Sequence, residues 1–266
     1  MRKQVSVSEN SVGTLARGLD VLELFSASRG ELSQKEISSA LQLPMPTVHR
    51  LTALLTERGW LDRDPATRRL RLGLEMARLV PALMAGLRLP ELARPHLLQL
   101  AAAMHETVNV AILEGSEIVY LLSESGDRLL TPQVTVGMRL PAHCTALGKC
   151  LLAQLPPDIA RVALGPEPYE RRTERTLTTW SDLAADLADG RKDGVTVSEE
   201  EYEVGLVSIA VPVRWIDGPG TAAINVSLPA GRATPSFRTQ LAQALLQAGR
   251  AIAQDMAPSG RAGQAP

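Results

Sequence analysis

Residues 33–58, SQKEISSALQLPMPTVHRLTALLTER, constrain this chain more than any other stretch, because they require two short helices that meet across a turn. Ser33 followed three residues later by Glu36 is a capping box: the hydroxyl takes one orphan amide at the helix start while the carboxylate returns to the cap residue's own amide. A helix is therefore expected from near Gln34, with Ile37, Ala40 and Leu41 at i, i+3 and i+4 forming a narrow buried stripe. Pro44 and Pro46 lack an amide and push the residue before them out of the helical region, so 42–45 must turn, and Pro46 suits the start of a second helix. Val48, Leu51 and Leu55 share one face of that helix. Thr47, His49 and Arg50 gather on or beside the other, within its first turn and a half. A helix that enters the major groove of DNA presents its N-terminal residues in this way. Arg50 can span guanine O6 and N7, Thr47 can meet a phosphate or a thymine methyl, and Ser33 and Gln34 join them as candidate DNA contacts. The same hairpin would also serve as a protein-interaction module.

The next residues favour nucleic acid. Gly59 can end the second helix in a left-handed conformation, and Asp64-Pro65-Ala66-Thr67 has turn chemistry. Leu70 and Leu72 then alternate with Arg69 and Arg71 at strand period. A β-hairpin carrying Arg63, Arg68, Arg69 and Arg71 thus abuts the helix pair, either as a solvated surface or as a wing on the phosphates, and four arginines within nine residues favour the wing. Upstream, Thr14 can cap a helix reaching about Ala27, with Leu15, Leu19, Leu22 and Phe25 spaced by threes and fours. Helix, helix, helix, hairpin is a winged helix-turn-helix spanning residues 13–73.

At 266 residues two domains are expected. The net charge of −1 conceals a division: residues 1–80 hold twelve Lys or Arg against nine Asp or Glu, a net of +3, which leaves −4 for the rest. The first domain is the electrostatic candidate for nucleic acid. Cys144 and Cys150 lack the spacing of a zinc site or a disulfide framework, so no metal is implied. No apolar run approaches the roughly 18 residues that span a bilayer, and the first residues have no apolar core, so a cytoplasmic protein without membrane contact is expected.

Residues 74–89 read as a connector helix interrupted by Pro81 and Gly86, with Pro90 marking a break, and their apolar excess is compatible with a dimer contact or with docking on the second domain. From Thr107 the period changes. Residues 108–113, 117–122, a segment near Val134, 195–198, 208–214 and 221–229 read as strands, while helices are expected from Thr145 to Leu155, after Thr179 until Gly194, and from Thr234 and Pro235 onward. The fold class is α+β: strands and helices in no strict alternation make residues 90–257 a domain with a mostly antiparallel sheet, followed by a disordered tail at 258–266.

The second domain shows no GxSxG elbow, no HExxH and no phosphate-cradling glycine loop. Adjacent His143 and Cys144 are weak ground for a thiol catalyst, because neighbours in a loop point apart. No catalytic residue and no cofactor are expected. A binding pocket fits better. Thr145-Ala146-Leu147-Gly148 opens a helix whose exposed amides and dipole favour an anion. Ser208 starts a buried strand, and Asn225 and Ser227 alternate with Ile224 and Val226, so they either pair with each other or face a polar ligand. His143 contacts that ligand or satisfies a core hydrogen bond. Leu113, Leu122, Met138, Leu140 and Val211 are candidate apolar walls for a small organic acid.

In LARGLDVLELF (15–25), LPMPTVHRLTALLTERGWL (43–61), TRRLRLG (67–73), GMRLPAHCTALGKCLLA (137–153), EEEYEVGLVSIAVPVR (199–214) and TAAINVSLP (221–229), the chain resembles IclR-type bacterial transcriptional regulators over residues 13–256. The resemblance implies a winged helix-turn-helix joined to a GAF-like effector-binding domain, acting as a homodimer or tetramer on palindromic double-stranded DNA. It further implies that the amides of Ala146 and Leu147 hold a carboxylate while Ser208, Asn225 and Ser227 add hydrogen bonds, and the wording is closest to regulators of aromatic-acid catabolism. Two departures stand out. Met45 and Pro46 replace a polar pair at the start of the recognition helix, and Ser198 replaces an acidic residue for which Glu199 or Glu200 is the candidate substitute. The rival reading is a metabolite-processing enzyme with an accessory nucleic-acid-binding module, which would bring a nucleophile and a base together in the second domain.

Overall fold

A computed structural model describes residues 9–27, 30–79, 88–126, 134–214 and 221–257. The chain divides into two compact units, Met1–Gly86 and Leu87–Pro266. The expected connector therefore belongs mostly to the first unit. Of its residues, 74–79 are helical; 80–87 and the expected disordered tail lie outside the described residues.

In the first unit α1 (Glu9–Ala27) begins ahead of Thr14, which lies inside the helix instead of capping it. Helix α2 (Gln34–Leu41) starts on the expected capping box, with the Ser33 amide donating to Glu36 Oε2 at 2.6 Å and the Glu36 amide donating to Ser33 Oγ at 3.2 Å. Ile37 is buried, but Ala40 is exposed, so the buried stripe is narrower than its spacing suggests. Helix α3 (Met45–Glu57) begins one residue early, with Pro44 at the cap and Pro46 in the first turn, where a missing amide costs no hydrogen bond. Strands β1 (Leu61–Arg63) and β2 (Leu70–Leu72) form the hairpin. Val21, Phe25, Ile37, Val48, Leu51, Leu61 and Leu70 close one small core. Leu72, expected inward beside Leu70, is instead 41% exposed.

The second unit opens with α4 (Arg88–Met104), which runs through Pro90 because proline in a first turn removes no intrahelical bond. Then come β3 (Thr107–Glu114), β4 (Glu117–Glu124), β5 (Arg139–Pro141), α5 (Ala146–Leu152), α6 (Pro157–Leu164), α7 (Trp180–Asp193), β6 (Thr196–Glu199), β7 (Leu206–Arg214), β8 (Thr221–Pro229) and α8 (Pro235–Met256). The segment at Val134 is not a strand; β5 begins at Arg139. Helix α6 is an addition to the sequence reading, begun by Pro156 and Pro157 as α3 is by its prolines. The strands form a six-stranded sheet in the order β5-β4-β3-β8-β7-β6, antiparallel throughout. The fold is α+β with an antiparallel sheet, as expected.

Aliphatic side chains of α4 and α8 cover one face of the sheet, and those of α5, α6 and α7 the other. A bulge in β4 decides which residues reach which layer. Val110 pairs with Leu122 and Ala111 with Tyr120, so Leu121 has no opposite number. Ile118 and Tyr120 therefore face α5, while Leu122 faces α4 and α8. Among the described residues no helix is long and apolar enough to cross a membrane.

Gly148 shows how tightly α5 is seated: a Cβ there would lie 2.2 Å from the Ala142 carbonyl oxygen and 2.3 Å from its Cα. Backbone cannot give way as a side-chain tip can. Gly148→Ala is expected to destabilise the second unit by about 2 kcal/mol or more, read from the urea midpoint, and an unchanged midpoint would show that the contact does not constrain the loop.

Candidate functional site

Two surfaces carry polar chemistry, one in each unit. On the first, His49 and Arg50 are exposed and Thr47 is half-buried at the start of α3, so the expected groove-facing residues are free to touch a partner. Ser33 and Gln34 serve the helix pair itself: Ser33 caps α2, and Gln34 Nε2 donates to the buried Thr52 hydroxyl at 2.7 Å. The wing is less open than four arginines suggest. Arg69 Nη2 lies 2.9 Å from Glu36 Oε2 and Arg71 Nη2 lies 2.6 Å from Asp62 Oδ2, its cross-strand neighbour. Glu36 is held down to about 2 by the Ser33 amide, the Ser33 hydroxyl and Arg69, so it stays ionised. Arg50, Arg63 and Arg68 have no side-chain partner among the described residues. Arg68 sits at the wing tip with φ +61°.

In the second unit a cavity of about 190 Å³ opens between the start of α5 and the sheet. Thr145 and Ala146 line it from the helix, Tyr120, Ser198, Ser208, Asn225 and Ser227 from the strands, and Val134, Met138, Leu140, Tyr202, Glu203 and Leu206 from the surrounding segments. Thr145 caps α5 by accepting the Gly148 amide at 3.2 Å, and the amides of Ala146 and Leu147 have no partner among the described residues. The strand polars both pair with each other and line the cavity. Ser208 Oγ is 2.8 Å from Ser227 Oγ, Asn225 Nδ2 donates to Ser227 Oγ at 3.0 Å, and Asn109 Nδ2 donates to Asn225 Oδ1 at 2.9 Å.

Of the expected pocket residues, Met138, Ala146, Ser208, Asn225 and Ser227 meet around this cavity, whereas Leu147, His143 and Glu200 do not. The Leu147 side chain is packed into the core beside α7. His143 is buried with Nε2 2.9 Å from the Glu170 carbonyl, and burial lowers its pKa, so it satisfies a core hydrogen bond. Glu200 turns away at φ +59°, its Oε2 accepting the Gly205 amide at 2.9 Å, and Glu199 pairs with Arg238. The acidic group at the cavity is Glu203 instead. Leu122 and Val211 pack on the opposite face of the sheet, the first because of the bulge and the second because it is three residues from Ser208 in an alternating strand. Ser198 was legible from its pairing opposite Ser208; Tyr202 and Glu203 lie in a loop that carries no periodic signal.

Comparison with known proteins bears directly on these two surfaces. Residues 14–65 match the IclR helix-turn-helix domain and residues 82–254 match the bacterial transcriptional regulator IclR C-terminal family. The chain belongs to the IclR family of bacterial transcriptional regulators. The Pca regulon regulatory protein of Pseudomonas putida is 35% identical over 244 residues, covering 91% of this chain and 82% of that one. A transcriptional regulator from Rhodococcus sp. RHA1 is 35% identical with a TM-score of 0.78, covering 92% of this chain and 98% of that one. An IclR homologue of Microbacterium hydrocarbonoxydans, solved with 4-hydroxybenzoate, is 28% identical with a TM-score of 0.78, covering 91% and 98%.

An IclR-type regulator needs no nucleophile, and the buried thiols fit that role. Burial pushes both Cys144 and Cys150 up to about 12. The IclR C-terminal unit does hold one unusual charged group. Lys149 on α5 is 0% exposed, with Nζ 2.5 Å from Glu201 Oε1 and 3.0 Å from Asp186 Oδ2. It anchors the segment that carries Tyr202 and Glu203 to the helix that carries Ala146. Lys149→Met would leave Glu201 buried beside Asp186 without its cation, at a cost of about 3–5 kcal/mol. Burial raises the Glu201 pKa above its ordinary 4.5. An acid raised in the folded state stabilises most below its unfolded pKa and loses that contribution as pH climbs through the folded one. Urea melts of Lys149→Met should therefore show a larger deficit at pH 8 than at pH 5, and a deficit independent of pH would show that Glu201 is not the stranded group.

Proposed function

We propose that this regulator binds palindromic duplex DNA in the bacterial cytoplasm as a dimer, or a tetramer built from dimers, and that a small aromatic carboxylate in the 190 Å³ cavity sets its affinity for DNA. The observation that carries the ligand reading is the pairing of two unpartnered amides at the start of α5 with a polar floor of Ser208, Asn225 and Ser227. The amides and the local helix dipole suit a carboxylate, while Tyr120, Met138 and Leu140 offer flat and aliphatic contacts to a single ring. Two relatives support the same chemistry, one named for the Pca regulon and one solved with 4-hydroxybenzoate. The ligand acts by binding the DNA-competent and DNA-incompetent states unequally. Calorimetry should show 4-hydroxybenzoate binding to the wild type and about tenfold weaker binding to Ser227→Ala; no binding of any benzoate at millimolar concentration would sink this reading.

For the DNA side, Arg50 with Thr47 and His49 reads bases, and Arg63 and Arg68 meet phosphates. Arg69 and Arg71 shape the wing through their ion pairs. Arg50→Ala should narrow the difference between operator and unrelated DNA, whereas Arg68→Ala should weaken both equally and reduce the salt slope by about 1. Identical behaviour of the two variants would overturn the division of labour.

The dimer reading rests on an apolar groove of about 980 Å³ in the first unit, lined by α1, α3, Trp60, Leu72, Met76 and Leu79. Leu15 is 66% exposed there, Leu19 50% and Leu54 48%. A patch of this kind on a DNA-binding unit suits a second copy of the same surface. Sedimentation should find the wild type as dimer or larger and Leu54→Glu shifted towards monomer; a monomeric wild type would refute the assembly.

A further inference from the structure

The cavity is floored by β4, which brings Tyr120, and by β8, which brings Asn225 and Ser227, and β3 lies between these two strands. The β3 residue opposite Asn225 is Asn109, 1% exposed. Its Nδ2 is spent on Asn225, but its Oδ1 is buried with no partner, as is the hydroxyl of Thr107 two residues earlier on the same face. Buried carbonyls without a donor are rare, because the group gives up its water and gains nothing in return. Asn225 cannot relieve this one, since its own Oδ1 accepts from Asn109 and its Nδ2 donates to Ser227. The network therefore turns its donors towards one another and leaves one acceptor over.

We propose that Asn109 is a specificity-determining residue of the effector site: its Oδ1 accepts a hydrogen bond from a hydroxyl on the ligand, at the end of the ring remote from the carboxylate. This rests on the aromatic-carboxylate reading and adds a requirement to it. The ligand class becomes hydroxylated aromatic acids. A substituent of similar size that cannot donate, such as fluorine, would set a second acceptor against the first and leave both unpaired.

The test is calorimetry on the full-length protein with benzoate, 4-hydroxybenzoate and 4-fluorobenzoate. In the wild type the hydroxy acid should bind about tenfold or more tightly than the fluoro acid. In Asn109→Leu, which keeps the bulk and removes the acceptor, that ratio should fall towards one while benzoate affinity changes little. Thr107→Val leaves Asn109 in place and should keep the ratio. Equal or reversed affinities in the wild type would overturn the proposal without needing any variant to fold, as would a ratio that survives Asn109→Leu or disappears in Thr107→Val. Binding of all three acids without discrimination refutes only this inference; binding of none refutes the aromatic-carboxylate reading with it.

Discussion

Strand β8 has to satisfy two interiors at once. Ala222, Ile224, Val226 and Leu228 enter the aliphatic layer under α4 and α8, and Ala223, Asn225 and Ser227 face the side that holds the cavity. Because strand side chains alternate, a slip of one residue would carry two hydrogen-bonding groups into an aliphatic layer with no partners and leave Ile224 and Val226 over the cavity. Polarity thus sets the register, and β3 and β7 on either side inherit it. The helices then have fixed surfaces to cover. The ligand cavity is a by-product of the same alternation, since the polar half of the strand must be left next to something other than hydrocarbon.

The first unit depends on a different economy, that of a single carboxylate. Glu36 closes the cap of α2 and also takes Arg69 from the hairpin, so one side chain joins the supporting helix to the wing. Its depressed pKa keeps it ionised. The consequence for DNA is a smaller cationic surface than the arginine count implies, concentrated on Arg50, Arg63 and Arg68 and therefore more directional.

What the sequence made legible was local. The capping box, the two prolines, the glycine stop at Gly59 and the period-two run through Arg69–Leu72 are signals spread over a few residues, and they placed the helix pair and the hairpin. The same logic failed where a residue type has two meanings. Pro156 and Pro157 look like breakers but open a helix, and Pro90 looks like a break but sits in a first turn. It also failed where the partner is distant in the chain. Lys149 and Glu201 are 52 positions apart, and neither their pairing nor the placement of Tyr202 and Glu203 at the cavity leaves a periodic trace. Roughly half the cavity was found because Ser208, Asn225, Ser227 and Ala146 sit on regular elements; His143, Leu147 and Glu200 were drawn in by sequence neighbourhood, which a turn undoes.

The unmatched Leu121 in β4 gives that strand two phases. Upstream of it, Ile118 and Tyr120 answer to the ligand side, and downstream Leu122 answers to the helices behind the sheet. A length change there is consequently more damaging than any exchange of side chain. Deleting one residue would restore simple alternation and force Tyr120 and its neighbours to present to the same layer as Leu122, so the ring wall and the hydrocarbon layer could no longer both be filled. Substitution at positions 118 and 120, by contrast, alters the pocket while the layer behind the sheet stays as it is, which leaves the chain a route to new ligands that does not reopen the question of how it folds.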